Sequence, residues 1–166
     1  MKVALEAGME FASRNPQGLG MMINLFQKFQ SIDNDSIFTH TGLIYDANGV
    51  TFEARNKLDH YHIDDYKGQH VMIVRPKMLT PEVWTNAWED LKQYDGKTYP
   101  YFRLVLHLLR MAKYVHWETP VCSELTAKYE VILLLRKTWW GINPDNLADF
   151  WNYSKFHDII FDGEWS

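Results

Sequence analysis

The sequence predicts an α+β fold, a small antiparallel sheet packed on helices. Three observations carry this expectation. The short strand-like segments, with one strong hairpin turn, fall mainly between Met9 and Pro76. From Thr80 onward the apolar residues recur at the three-and-four spacing of helix faces. Strands and helices do not alternate along the chain, which argues against a parallel doubly wound sheet. With 166 residues, 46% hydrophobic and 23% charged, the chain can bury a core of its own and is expected to form one domain over 1–166.

The elements follow in order. Met9 to Arg14 reads as a short strand closed by the turn-forming Asn15-Pro16. Leu19, Met22, Ile23, Phe26 and Phe29 mark one face of a helix over 18–30, followed by a polar, turn-like stretch over 31–36. Strands over 37–45 and 50–55 flank Asp46-Ala47-Asn48-Gly49, and Asn-Gly is a strong hairpin signal. A further strand over 70–74 stops at Pro76. Thr80-Pro81-Glu82 reads as an N-cap with proline at the first helical position, opening a helix to about Gln93. Helices are expected over 101–114 and 122–137, then a short one over 147–151 opened by Asn143-Pro144-Asp145. Residues 155–161 read as a closing strand.

Composition excludes several classes of function. A formal net charge of -4 gives no broad electrostatic footprint for DNA or RNA. The longest aliphatic run, Val131 to Leu135, is far shorter than the roughly 20 residues that cross a bilayer. The N-terminal residues meet Glu6 and Glu10 before any sustained apolar stretch, so they do not read as a signal peptide. The one cysteine permits no internal disulfide. A soluble protein of a reducing, cytoplasmic compartment is expected, phage-mediated lysis being another route of release. Aromatics, at 15%, are plentiful enough to line a groove as well as a core.

That cysteine, Cys122, follows Thr119-Pro120-Val121 and precedes a periodic run through Leu125, Tyr129, Ile132 and Leu133, which places its sulfur in the first turn of a helix. Unpaired N–H groups and the helix dipole favour an anion there. The same N–H groups, that of Cys122 included, could hold an oxyanion. The plain alternative is a small buried hydrophobe, the usual fate of a lone cysteine.

A thiol nucleophile needs a base, and the chain offers seven histidines. His40 lies on the first hairpin strand, where alternation puts Phe38, His40, Gly42 and Ile44 on one face. An imidazole among apolar neighbours is costly without a hydrogen bond. Whether Ala47 or Tyr45 pairs with Val50 across the turn, Glu53 faces the same side as His40. In the second register Glu53 is its diagonal neighbour, within reach of long side chains. A carboxylate there could fix the imidazole tautomer, or simply be a solvated strand residue. His60 and His62, at i, i+2 spacing, could offer two ligands from one strand face, but no third is evident nearby, so no metal site is assigned. His107, His116 and His157 read as helix-face or surface residues, no motif marks His70, and Trp139-Trp140 reads as capping the core at a helix end, with lining a groove as the alternative.

Together these segments resemble the permuted NlpC/P60 superfamily, in its YiiX-like branch, where the histidine hairpin precedes the cysteine helix. The resemblance rests on Ala7-Gly8-Met9-Glu10-Phe11-Ala12, with Met9-Glu10 departing from the usual Gly-Asp, and on Thr39-His40-Thr41-Gly42-Leu43-Ile44. It continues through Phe52-Glu53-Ala54, Val74-Arg75-Pro76, Val121-Cys122-Ser123-Glu124-Leu125 and Asn143-Pro144-Asp145-Asn146-Leu147. Each segment is short, and their common order and spacing carry the weight.

The resemblance implies a circularly permuted papain-like fold and a catalytic Cys122, His40 and Glu53. It implies hydrolysis of an amide bond, often in a cell-wall-type peptide, or of an ester or thioester, without a cofactor. The expected partner is therefore a small peptide or acyl substrate. The lecithin:retinol acyltransferase group is similar in layout, but favours a second histidine where Glu53 stands and an Asn-Cys-Glu segment at the nucleophile. A non-catalytic binding or virion module with the same fold is the third expectation.

Overall fold

The computed structural model describes residues 3–14, 37–108, 111, 114 and 118–166. The helix expected over 18–30 and the turn over 31–36 lie outside these residues, as do His116 and the side chain of His107.

Six strands, β1 (Glu10–Ser13), β2 (His40–Ile44), β3 (Val50–Ala54), β4 (Leu58–His62), β5 (His70–Pro76) and β6 (His157–Glu164), form one sheet in the order β4-β3-β2-β1-β5-β6. Every neighbouring pair is antiparallel. The described α-helices are α1 (Pro81–Leu91), α2 (Tyr101–Leu108), α3 (Cys122–Ile132) and α4 (Pro144–Tyr153). The fold is thus mixed α+β, as the sequence predicts. Strand β4 goes beyond the expectation: it contains His60 and His62 but carries little apolar alternation, and pairing with β3 holds it in place. No helix among the described residues is long and apolar enough to cross a membrane.

The β2–β3 hairpin settles the register. Leu43 pairs with Phe52 and Ile44 with Thr51, and Tyr45 N–H donates to the Val50 carbonyl at 2.7 Å. This is the four-residue loop. Asp46 Oδ1 accepts from the backbone N–H of Asn48 and Val50, and Gly49 takes φ +92°, which few other residues tolerate. Glu53 therefore stands opposite Gly42 and diagonal to His40.

Helix starts follow their capping residues. Thr80 Oγ1 accepts from Val83 N–H before α1, and Asn143 Oδ1 accepts from Asn146 N–H before α4. Helix α3 ends at Ile132, five residues short of the expected Lys137. The Leu134 N–H donates to the Val131 carbonyl and the Leu135 N–H to that of Glu130, with Leu134 left-handed at φ 59°. This is a Schellman closure with leucine where glycine is usual, so the sequence carries no stop signal there.

Helix α3 lies across β2, where the hydroxyls of Thr126 and Thr41 hydrogen-bond at 3.1 Å. Ala127 packs with Ala12, Met72, Val74, Trp139, Leu147 and Trp151 in one core cluster. A larger one gathers Phe11, Leu43, Ile44, Phe52, Leu58 and Ile73 with Trp84, Leu125 and Tyr129.

Candidate active site

Cys122 is the first residue of α3, and its side chain is buried. Glu124, in the first turn of the helix, sits in a fully buried ion pair with Arg103 of α2, at 2.6 Å. Glu124 also accepts from the backbone N–H of Val121 and of Gly141. Glu124 thus ties α2, the N-cap and the loop at Gly141 to the end of the helix that carries the thiol. Thr126, one turn after Cys122, anchors the helix to β2 beside His40.

His40 opens β2 with its side chain 14% exposed. Its Nε2 lies 2.8 Å from Glu53 Oε2, which leaves Nδ1 for the thiol. Phe11 and Tyr66 flank the ring, Tyr66 stacked at 6.0 Å between centroids. Burial pushes the His40 imidazole down, but the charge and hydrogen bonding of Cys122 and of Glu53 push it up further, to about 9. The structure therefore brings Cys122, His40 and Glu53 into one interacting chain of groups.

Glu53 is fully buried and well supplied with donors. It accepts from Tyr66 Oη at 2.5 Å, from Arg55 Nε at 2.9 Å and from the hydroxyl of Thr51. Burial alone would raise its acid, but His40 and Arg55 hold it at about 2. Arg55 in turn pairs with Asp65 and lies over the rings of Tyr61 and Tyr66. Gly42 makes room for this arrangement. A Cβ there would sit 2.7 Å from Phe11 Cε1 and 3.1 Å from Glu53 Cγ.

Sequence reasoning did not mark Thr51, Arg55, Tyr66 or Arg103. Thr51 and Arg55 carried a usable signal, being two residues either side of Glu53 and so on its face of β3. Tyr66, on a 3₁₀ turn, and Arg103, on another helix, carried none.

The remaining histidines fall differently from expectation. His157 is not a surface residue: it begins β6 with its side chain wholly enclosed beside Glu10 and Glu130. His60 and His62 do not share a ligand set. The His62 ring lies 3.0 Å from the Asn48 carbonyl, whereas His60 clusters with the exposed or half-exposed Asp59 and Asp95. His70 pairs with Asp162 across β5 and β6. Of the tandem tryptophans, Trp139 enters the core and Trp140 is exposed.

No family model matches the chain, and no curated protein does. A solved structure does: metalloprotein YiiX of Escherichia coli O157:H7 superposes with a TM-score of 0.65 at 15% identity, over 98% of this chain and 99% of that one. The two chains share a fold. At this identity the likeness concerns the path of the backbone, and full coverage of both chains extends it to the strands and helices that carry Cys122, His40 and Glu53.

Proposed function

We propose that this chain is a cysteine hydrolase of circularly permuted papain type, cleaving an amide bond in a cell-wall-type peptide. Cys122 is the nucleophile, His40 the proton carrier and Glu53 the group that orients it. The observation that supports this best is the His40 ring, held between the Cys122 thiol and a buried, four-donor Glu53. With His40 raised to about 9, imidazolium is its favoured form at neutral pH, ready to stabilise a thiolate and to protonate a leaving group.

The steps follow from that geometry. The thiolate attacks the carbonyl carbon, forming a C–S bond as the carbonyl electrons move to oxygen. N–H groups of the first turn of α3, that of Cys122 included, receive the oxyanion. The C–N bond then breaks as His40 protonates the departing amine. Water, deprotonated by His40, releases the acyl group and restores the thiol. Glu53 keeps Nε2 engaged throughout and stabilises the imidazolium.

A second reading, ester or thioester cleavage on an acyl substrate, draws support from Tyr101 and Phe102. They are 51% and 61% exposed on α2, beside the Arg103 that braces the cysteine helix. Apolar rings there would suit an acyl chain. The neighbour's description as a metalloprotein also raises a metal at this same site. The donor set disfavours it: Glu53 already accepts from His40, Thr51, Arg55 and Tyr66, leaving a thiol and one imidazole nitrogen where zinc wants three or four ligands.

The test is iodoacetamide alkylation followed by substrate turnover. Cys122 should alkylate quickly at pH 7, and His40→Ala should slow this at least about tenfold. Cys122→Ala should keep the fold and abolish turnover of stem-peptide amides, or of acyl thioesters under the second reading. An inert thiol in the wild type, or full turnover in Cys122→Ala, would leave only a binding role.

A further inference from the structure

Glu10 of β1, Glu130 of α3 and His157 of β6 point at one another from three elements. Their potential ligand atoms all lie within 4.8 Å. His157 Nε2 is 3.5 Å from Glu10 Oε1 and 3.7 Å from Glu130 Oε1, and all three side chains are 0% exposed. Both Glu10 oxygens, Glu130 Oε2 and His157 Nε2 lack a hydrogen-bond partner. Buried carboxylates are rarely left so, because desolvation without a partner is costly.

The groups behind the cluster orient it. His157 Nδ1 lies 3.0 Å from Ser154 Oγ; a proton on that nitrogen, donated to the hydroxyl, leaves Nε2 with its lone pair facing the carboxylates. Trp151 Nε1 donates to Glu130 Oε1 at 2.7 Å and fixes that carboxylate. Arg136 stands 3.3 Å from Glu130 Oε2, out of hydrogen-bond alignment, and offsets one of the two negative charges. One charge and several lone pairs remain.

We propose that Glu10, Glu130 and His157 form a buried site for one divalent transition-metal cation. A tetrahedral ion with bonds of about 2.0–2.1 Å separates its ligands by roughly 3.4 Å, close to the 3.5 and 3.7 Å from His157 Nε2 to the two carboxylates. One imidazole and two carboxylates, with no thiolate, suit zinc, manganese or ferrous iron. The rival occupant is a proton. Burial pushes both carboxyl groups up, Glu130 to about 8, so either could be neutral without a metal. A proton, however, whether on Nε2 or on a carboxylate, would leave the imidazole and the acids at 3.5 and 3.7 Å without a hydrogen bond between them. Glu130 lies two turns along α3 from Cys122, about 12 Å, so the ion would not touch substrate. It would pin the far half of the cysteine helix to β1 and β6.

The experiment uses the full chain purified without chelator, analysed for metal, then stripped with EDTA and titrated with Zn²⁺ and Mn²⁺ by calorimetry and thermal melting. About one equivalent should bind, and the melting temperature should rise by about 5 °C or more at a hundredfold excess over Kd. The near-isosteric Glu130→Gln should weaken binding at least tenfold, whereas Cys122→Ser should bind like the wild type. Two results would overturn the site: neither ion binding to stripped wild type, or an equivalent lost in Cys122→Ser and kept in Glu130→Gln. The wild-type and Cys122→Ser arms stand even if Glu130→Gln folds poorly, and neither depends on turnover.

Discussion

His40 shows how one side chain reports on its neighbours. Its imidazole is raised to about 9 although burial pulls the other way, and Cys122 is the first group that lifts it. Removing the thiol should therefore show in the ring itself. In Cys122→Ser the His40 titration, followed by NMR, should move down from about 9 while the Glu53 hydrogen bond remains. An unchanged titration would mean that the two groups do not interact. Gly42 offers an independent probe, because it serves the site by lacking a side chain. In Gly42→Ala the new Cβ would press on Phe11 and Glu53, both fully buried and neither free to swing away. We expect a loss of roughly 1–3 kcal/mol in chemical denaturation, with activity falling more steeply as Glu53 leaves the His40 ring.

Elements decide how much of this could be read beforehand. The His40–Glu53 relation was legible because two rules met in one hairpin: alternation placed the side chains, and Asp46 to Gly49 fixed the parity of the register. Cys122 was legible because Pro120 and the following periodicity marked a helix start. The Glu10, Glu130 and His157 cluster was not, since its members lie on three elements far apart in sequence, and each alone passes for a surface residue. The end of α3 was hidden for a simpler reason, the leucine that occupies a glycine position. This yields a prediction at the same scale. Leu134 is 89% exposed and left-handed, so Leu134→Gly relieves backbone strain and gives up little burial. It should stabilise the fold by about 1 kcal/mol, seen as a rise of about 2–4 °C in melting temperature. A fall would mean that the flexibility of glycine in the unfolded chain outweighs the relieved strain.

Over the whole molecule the site couples to folding, because its charges lie where sheet and cysteine helix meet. The two shifted groups of the triad act in opposite pH windows. Glu53 is depressed from 4.5 to about 2, so the stability it contributes is present above about 4.5 and is lost as pH falls through 2. His40 is raised from 6.5 to about 9, so its contribution is complete below about 6.5 and is lost as pH rises through 9. From these two groups alone, unfolding free energy should be level between about pH 4.5 and 6.5 and decline on both sides, by on the order of 3 kcal/mol per limb. Urea denaturation across pH would show it, and variants assign the limbs. Glu53→Gln should flatten the acid limb, since no carboxylate remains there to protonate. It should also weaken the alkaline one, since His40 loses a partner that raises it. Cys122→Ser should spare the acid limb and draw the alkaline one toward 6.5. An alkaline limb that ignores both substitutions would mean that the imidazolium is held by neither partner, and the three side chains would then be neighbours rather than a unit.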